Sequence, residues 1–392
     1  MKLCFIAPGH SYHTVQWIKF FSQGKHDVYL IDVGHELNNS LIQLGVKCDD
    51  VTSKRKGWGA LPWMVHAILE IRKKVSSLRP DLVHAFPVFP AGFLAAESLE
   101  SSVPFVITGW GSEVLVAPWR SWMIRLCNRL ALKRANLLTA ESLPVLSSMA
   151  WLRGSPCNGV LIQFGAELDI FKPAENKESL RQQLNLPKDK FIIFSGRAAI
   201  PNSNLEVVLK SFHMFLSEFP NAILLFAYAY GNMEEKLRGL CSSLGILENV
   251  LFLGAVEYKQ MAAVLSASDV CVSVPSSDSF PRIVWESMAS GVPVVISDLP
   301  WRTGYIEDGV HALVVAPGDE LGLFRALERL VSDTLLRTTL INNGLELVRA
   351  RGDYLKEMKR MEQIYEAICR RSLSIDDILG VFQVYPSDVA LR

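Results

Sequence analysis

The sequence has no apolar run long enough to cross a bilayer: no uninterrupted segment reaches the ~18 residues that a spanning helix needs. It opens on MKLCFIAPGH, a short apolar run ending in Pro-Gly, which reads as a first β-strand and not as a signal peptide. A cysteine framework is also missing. The seven cysteines (Cys4, Cys48, Cys127, Cys157, Cys241, Cys271 and Cys369) are odd in number, scattered and without CxxC spacing, and most sit in apolar stretches. This argues against a disulfide scaffold and a zinc site and fits a reducing, cytoplasmic compartment. Charge of one sign is not in excess either. Lys plus Arg number 40, as do Asp plus Glu, so nucleic-acid binding gets no support.

What is there is length and apolar content. The 392 residues, 49% hydrophobic, suffice for two cores, so two domains are expected. Charge divides unevenly between them: residues 1–170 hold 17 basic and 13 acidic side chains (net +4), residues 171–392 hold 23 and 27 (net −4). Short apolar runs at 3–7, 28–31, 105–110, 159–163, 191–195, 221–228, 250–253 and 312–315 alternate with helical patterns, which gives an α/β chain.

The stretch that organises the rest is 276–299. Apolar runs at 270–275 and 292–296 flank Asp278, Pro281, Glu286 and the small-residue turn Ala289-Ser290-Gly291. The pattern reads strand, loop, helix, turn, strand, a parallel crossover unit. Pro281 suits the first helical turn and Gly291 the helix stop. Asp278 then lies in the loop at a strand's carboxyl end, where open α/β sheets bind ligands, and Glu286 lies two turns into the helix. The N–H groups of residues 282–284 would favour a phosphate.

Three further stretches invite chemistry. Gly9, in the loop after the first strand, would let backbone approach a phosphate. His10 and His13 in that loop read either as ligands for substrate hydroxyls or as solvated polar residues. Residues 54–74, with Trp58, Trp63 and Met64, and residues 119–134, with Trp119 and Trp122, interleave aromatic and basic side chains. Both suit a membrane surface carrying anionic lipid, or equally two ordinary amphipathic domain helices.

An acidic residue, seven residues, Glu and then SMASGVPVV resembles the signature of the retaining glycosyltransferases of family 4. The resemblance runs from residue 1 to about residue 366. It implies the GT-B fold, two Rossmann-like doubly wound domains facing a central cleft. The expected division is 1–170 for the acceptor, 171–355 for the nucleotide sugar, and 356–392 as a return helix and tail packing on the first domain. The resemblance places Asp278 against the donor sugar, one methylene shorter than the family's usual Glu, and Glu286 on the nucleotide ribose. Gly196-Arg197 is similar to the family's cationic clamp on the pyrophosphate, with Asn202 where Lys is usual. Asn204 matches a branch of the family that has Asn after the Arg, and Arg282 is read as restoring part of the missing charge. Ser279, Phe280, Pro281, Ile283, Gly9 and the turn at Gly254 complete the implied donor site.

On the acceptor side, residues 80–86 resemble the family's PDxVHxH strand, with His84 kept and Phe86 in the second His place. His84 reads as a catalyst or as a buried, hydrogen-bonded histidine. Trp110 and Gly111-Ser112-Glu113 resemble the family's GSD, and Glu113 is read as an acceptor of substrate hydroxyls or as a cap. His13 joins this set. Residues 164–173 resemble the interdomain segment PNGVDxxxFxP, and residues 372–392 have no counterpart, although their apolar side chains suggest packing.

The implied activity is transfer of a sugar from a nucleotide donor, UDP-linked by default, to a hydroxyl of a glycan or lipid-linked glycan, with retention of configuration. Cell-surface polysaccharide or glycolipid biosynthesis is the setting. No cofactor and no metal are called for. The expected location is cytoplasmic, peripheral on the inner face of an anionic membrane. Two rivals are a non-catalytic GT-B nucleotide-sugar-binding protein, suggested by Phe86, Asn202 and Asp278, and a UDP-N-acetylglucosamine epimerase-like GT-B enzyme, which needs no acceptor.

Overall fold

The computed structural model describes residues 1–34, 38–51, 60–228, 230–372 and 379–386. The chain forms two compact units, Met1–Gln163 with Lys356–Arg392, and Phe164–Leu355. The break at Gln163 lies shortly before the expected boundary at residue 170.

The first unit is an eight-stranded sheet in the order β14-β7-β6-β5-β4-β1-β2-β3. Its strands are β1 (Lys2–Ala7), β2 (Asp27–Asp32), β3 (Lys47–Asp50), β4 (Leu82–Ala85), β5 (Phe105–Gly109), β6 (Leu137–Ala140), β7 (Cys157–Leu161) and β14 (Val381–Val384). The first seven run parallel; β14 adds antiparallel to β7, with Val381 opposite Val160. Both faces are covered, which is why β1 reads as continuous KLCFIA without alternation. Cys4 and Ile6 pack on the layer holding Trp63, Ala67 and Ile71 of the Ala60–Leu78 helix, together with Leu94, Leu132 and Met149. Phe5 faces the other way, toward Phe21 and Phe86 at ring distances of 5.9 and 6.1 Å. Burying a side chain of this size stabilises by about 1.5–3 kcal/mol.

The second unit is a six-stranded parallel sheet in the order β10-β9-β8-β11-β12-β13. Here β8 is Phe191–Ser195, β9 Ala222–Ala227, β10 Val250–Gly254, β11 Val270–Ser273, β12 Val294–Ser297 and β13 Leu313–Val315. Two cores clothe it. One holds Phe194, Leu225, Cys271 and Ile296 against the Arg282–Ala289 helix; the other holds Ile193, Leu224, Phe226 and Val272 against the Leu205–Glu218 and Glu320–Ser332 helices. The crossover read from 270–296 is present, but its helix starts only at Arg282, after Pro281 in extended conformation. Glu286 is therefore one turn in and not two. Gly291 stops the helix as expected, at φ +69°, with the Val292 N–H returning to Ser287 O at 3.0 Å.

Candidate functional site

The donor-side residues of the second unit gather at the carboxyl ends of β8 and β11. Gly196 follows β8 where a Cβ would lie 2.9 Å from Ile283 Cδ1, so the strand end packs tightly on the first turn of the Arg282–Ala289 helix. Arg197 then meets Asp278. Its guanidinium lies 2.8 Å from Asp278 Oδ2, with the two side chains 17% and 18% exposed. The other carboxylate oxygen, Oδ1, accepts the Ser279 N–H at 2.8 Å. Both oxygens of Asp278 are thus engaged, and the group expected at the sugar is held by the group expected at the pyrophosphate.

The loop between β11 and the helix is tied from below by asparagines. Asn202 O accepts the Ser276 N–H at 2.9 Å, and its Nδ2 donates to Ser277 O at 2.8 Å. Asn204, in left-handed conformation at φ +53°, donates its Nδ2 to Val274 O at 3.0 Å. Asn204 is accordingly a brace for the donor loop, and its amide nitrogen is turned onto the backbone. Phe280 and Ile283 are buried packing residues: Phe280 stacks on Trp285 at 4.8 Å and 6° and lies 4.6 Å from Trp301. They fix the loop through the core. The N–H groups of Arg282 and Ile283 begin the helix and have no partner within it by construction.

Arg282 differs from its expected place. Its guanidinium lies 2.9 Å from Glu286 Oε1 and donates to Tyr258 Oη at 2.8 Å, with side chains 13% and 9% exposed in the Arg–Glu pair. Burial pushes the Glu286 carboxyl up, Arg282 pulls it down, and Glu167 pushes it up again. Burial also raises the Tyr354 hydroxyl beside Glu167, Arg282 and Tyr258. Gly254 closes β10, the edge strand, with φ +65°, and its carbonyl accepts the Tyr228 N–H at 2.9 Å.

In the first unit, Gly9 turns its N–H away from any ligand. It donates to Asp32 Oδ1 at 2.7 Å, as does the Gly34 N–H at 2.8 Å. Burial raises the Asp32 carboxyl, and these two N–H groups pull it down. Asp32 escaped the sequence reading; an Asp ending the second strand of a β-loop-α-β unit was the available signal. His84 is fully buried and resolves as the hydrogen-bonded alternative, not as an acceptor-side group. Its Nδ1 meets Tyr365 Oη, its Nε2 lies 2.7 Å from Thr108 Oγ1, and burial lowers it to about 3. Phe86 lies buried beside it, 5.0 Å between rings. Glu113 caps its own turn, accepting the Trp110 N–H at 2.6 Å, and burial raises its carboxyl. His13, half-buried, lies 5.6 Å from the Trp110 ring. These two rings and Glu113 are what the structure brings together at the carboxyl end of β5.

Residues 176–347 match the family Glycosyl transferases group 1, and residues 2–142 match Glycosyl transferase 4-like. This chain carries both glycosyltransferase domains. Of curated proteins, the glycosyltransferase is 26% identical over 324 residues to TuaC of Bacillus subtilis (strain 168), named for teichuronic acid biosynthesis, covering 80% of this chain and 79% of that one. It is 32% identical over 180 residues to phosphatidyl-myo-inositol mannosyltransferase of Mycobacterium leprae (strain TN), spanning 46% of this chain and only 47% of the relative. Among solved structures, HepE of Anabaena in complex with UDP and glucose superposes with a TM-score of 0.78 at 18% identity, covering 94% of this chain and 100% of that chain. The fold of the glycosyltransferase is GT-B, two Rossmann-like α/β sheets.

Proposed function

We propose that the protein transfers a sugar from a UDP-linked donor to a hydroxyl of a glycan or lipid-linked acceptor, with retention, in cell-surface polysaccharide or glycolipid synthesis. The observation that carries this reading is the placement of Arg197, Asp278, Arg282 and Glu286 around one helix start at the ends of β8 and β11. That UDP occupies the solved HepE structures supports the choice of nucleotide.

In this reading the pyrophosphate takes Arg197 and the start of the Arg282–Ala289 helix, with a charge-assisted, planar contact from the guanidinium of Arg197. Asp278 is released toward the sugar as Arg197 turns to phosphate. Glu286 accepts the ribose hydroxyls. Bond cleavage places negative charge on the leaving phosphate and positive charge on an oxocarbenium-like ring. Fixed cations and backbone dipoles meet the first, and the acceptor hydroxyl attacks from the same face. The cationic groups stand in for a divalent metal. The acceptor-side candidates are His13, Trp110 and Glu113 of the first unit.

The acceptor side also carries the membrane proposal. The helices Ala60–Leu78, Phe93–Ser98 and Trp122–Arg134 lead into β4, β5 and β6 and share one layer. Leu61, Val65 and Leu69 are exposed on the first, and Trp122 (79% exposed), Leu126 and Leu130 on the third. Arg120, Arg125, Arg129 and Lys133 are exposed among the latter. Trp58 and its basic neighbours lie outside the described residues. Among the described residues no helix is long and apolar enough to cross a membrane, so the contact proposed is peripheral, on an anionic cytoplasmic leaflet.

The test is calorimetric titration with UDP, GDP and ADP, followed by turnover of the matching nucleotide sugar with a lipid-linked acceptor. Selective binding and acceptor-dependent release of nucleotide are expected. Binding without turnover on any acceptor supports a nucleotide-sugar-binding protein instead, and isomerised donor without an acceptor supports an epimerase.

A further inference from the structure

We propose that Arg282 is a positioning residue: its guanidinium holds Glu286 ionised and oriented for the ribose and does not itself contact the pyrophosphate. The inference rests on the reading of Glu286 as the ribose acceptor. Residues four apart on a helix stack one above the other, so Arg282 reaches Glu286 within its own turn, at 2.9 Å. A cation in a first helical turn opposes the positive helix end, so this arginine is not there for the helix. Its guanidinium is fixed on a second side by Tyr258 Oη at 2.8 Å, and it lies 5.5 Å from that ring's centroid. The pair is nearly closed to solvent, and a guanidinium held at both ends has little reach toward a phosphate.

The surroundings otherwise oppose ionisation of Glu286. Burial and the Glu167 carboxylate both favour its protonated form, and Arg282 alone among its named neighbours opposes them. Tyr258 and Tyr354 face the same cluster from their own helices, with the Tyr354 hydroxyl raised by burial. Cys271, on β11 beneath the helix, feels both Glu286 and Arg197, and burial pushes its thiol up to about 12. Neither a tyrosine hydroxyl nor a thiol carries positive charge in any protonation state, so none of these groups replaces the charge of Arg282. A carboxylate accepts from two vicinal hydroxyls; a carboxyl group accepts less well and must place its own proton.

The experiment is titration of UDP into the full chain and into the variants R282M, R282Q, R282K and E286Q from pH 6.5 to pH 9, each read as the ratio to wild type so that titration of the ligand's own phosphate cancels. E286Q should bind about tenfold or more weakly at every pH. R282M and R282Q should be about tenfold weaker at pH 6.5 and recover towards wild type as Glu286 deprotonates. R282K keeps the charge and should stay within about threefold of wild type throughout. A constant loss in R282M and R282Q at all pH values overturns the proposal in favour of direct phosphate contact or lost structure, and so does wild-type affinity of both at pH 6.5. Wild-type affinity of E286Q removes the ribose reading itself, whatever the arginine variants do. If R282M does not fold by circular dichroism, R282Q carries the same expectation with the hydrogen bonding partly kept.

Discussion

Arg197 and Asp278 form an ion pair that the proposed donor contact would have to open. Each is about four-fifths buried, and Asp278 has no oxygen to spare, because Ser279 holds the other one. A phosphate therefore competes with Asp278 for the guanidinium, and the carboxylate also repels it. Asp278→Asn removes both effects. A partly exposed pair of this kind contributes on the order of 0.5–1 kcal/mol, so UDP should bind about two- to fivefold more tightly to the variant while transfer falls. Calorimetry beside a turnover assay reads both numbers, and weaker binding by the variant would mean that Asp278 supports the nucleotide directly. His84 permits a second argument at this scale. Trp17 Nε1–H only donates, here to Tyr365 Oη at 3.0 Å. With the tyrosine hydroxyl donating to His84 Nδ1, His84 Nε2–H donates to Thr108 Oγ1 at 2.7 Å and Thr108 to Thr139. The ring is neutral, and burial depresses it to about 3 from 6.5. The unfolded chain takes up that proton first as the pH falls. Its stabilising contribution is therefore whole above pH 6.5 and is lost progressively as the pH falls towards 3, about 2 kcal/mol by pH 5. Denaturant titrations of His84→Gln at pH 7 and pH 5 should show a slope shallower than wild type by that amount; parallel slopes would place a charged histidine in the fold.

Helix patterning was legible where the apolar stripe was long and closed by clear stops. Gly291 ends the crossover helix, as its place after Ala289-Ser290 suggested. Four-residue strands such as β3 and β6 were not, because KCDD and LLTA are too short to show a period; partners from distant sequence define them. β14 was foreseen only as a tail that packs. Its partner is Gly159 and its neighbours in β7, where a Cβ would lie 2.4 Å from Val384 Cγ2, and that fit has no sequence signature. The aromatic and basic alternation of 119–134 was visible, but only exposure separates a membrane face from a core stripe. Trp122 is 79% exposed, with Arg129 and Lys133 also exposed on its helix. The triple change Trp122→Ser, Arg129→Gln, Lys133→Gln should weaken sedimentation with phosphatidylglycerol vesicles by about tenfold or more, since each basic group near such a surface contributes about 1 kcal/mol. Melting temperature should hardly move. Equal sedimentation of variant and wild type would return the helix to an ordinary solvated role.

Across the whole molecule, periodicity pointed to an α/β chain of two domains, and the GT-B fold followed from the resemblance that 276–299, Gly196-Arg197 and residues 80–86 bear to one glycosyltransferase family. The interactions among the donor residues were less readable. Arg282 and Glu286 stand four apart and could have been paired from spacing alone, whereas Arg197 and Asp278 are joined only by the adjacency of β8 and β11. Asp32 and Gly9 likewise meet only because β1 and β2 are neighbours. These pairs bear on how configuration would be kept. Double displacement needs a free carboxylate as nucleophile, with a second carboxyl group about 5–5.5 Å away. Asp278 is engaged by Arg197 and Ser279, and Glu286 by Arg282. In the proposed reading the Asp278 carboxylate, once Arg197 turns to phosphate, is taken by the sugar hydroxyls, and the acceptor oxygen attacks on the face that the phosphate leaves, passing its proton to that phosphate. Proton NMR of the first product formed should show the donor's anomeric configuration, intact-mass spectra under turnover should show no glycosyl adduct, and chelation with EDTA should leave the rate unchanged because Arg197 and the helix start carry the leaving-group charge. An inverted anomer would remove the front-face route, and an adduct on Asp278 would replace it with a covalent one.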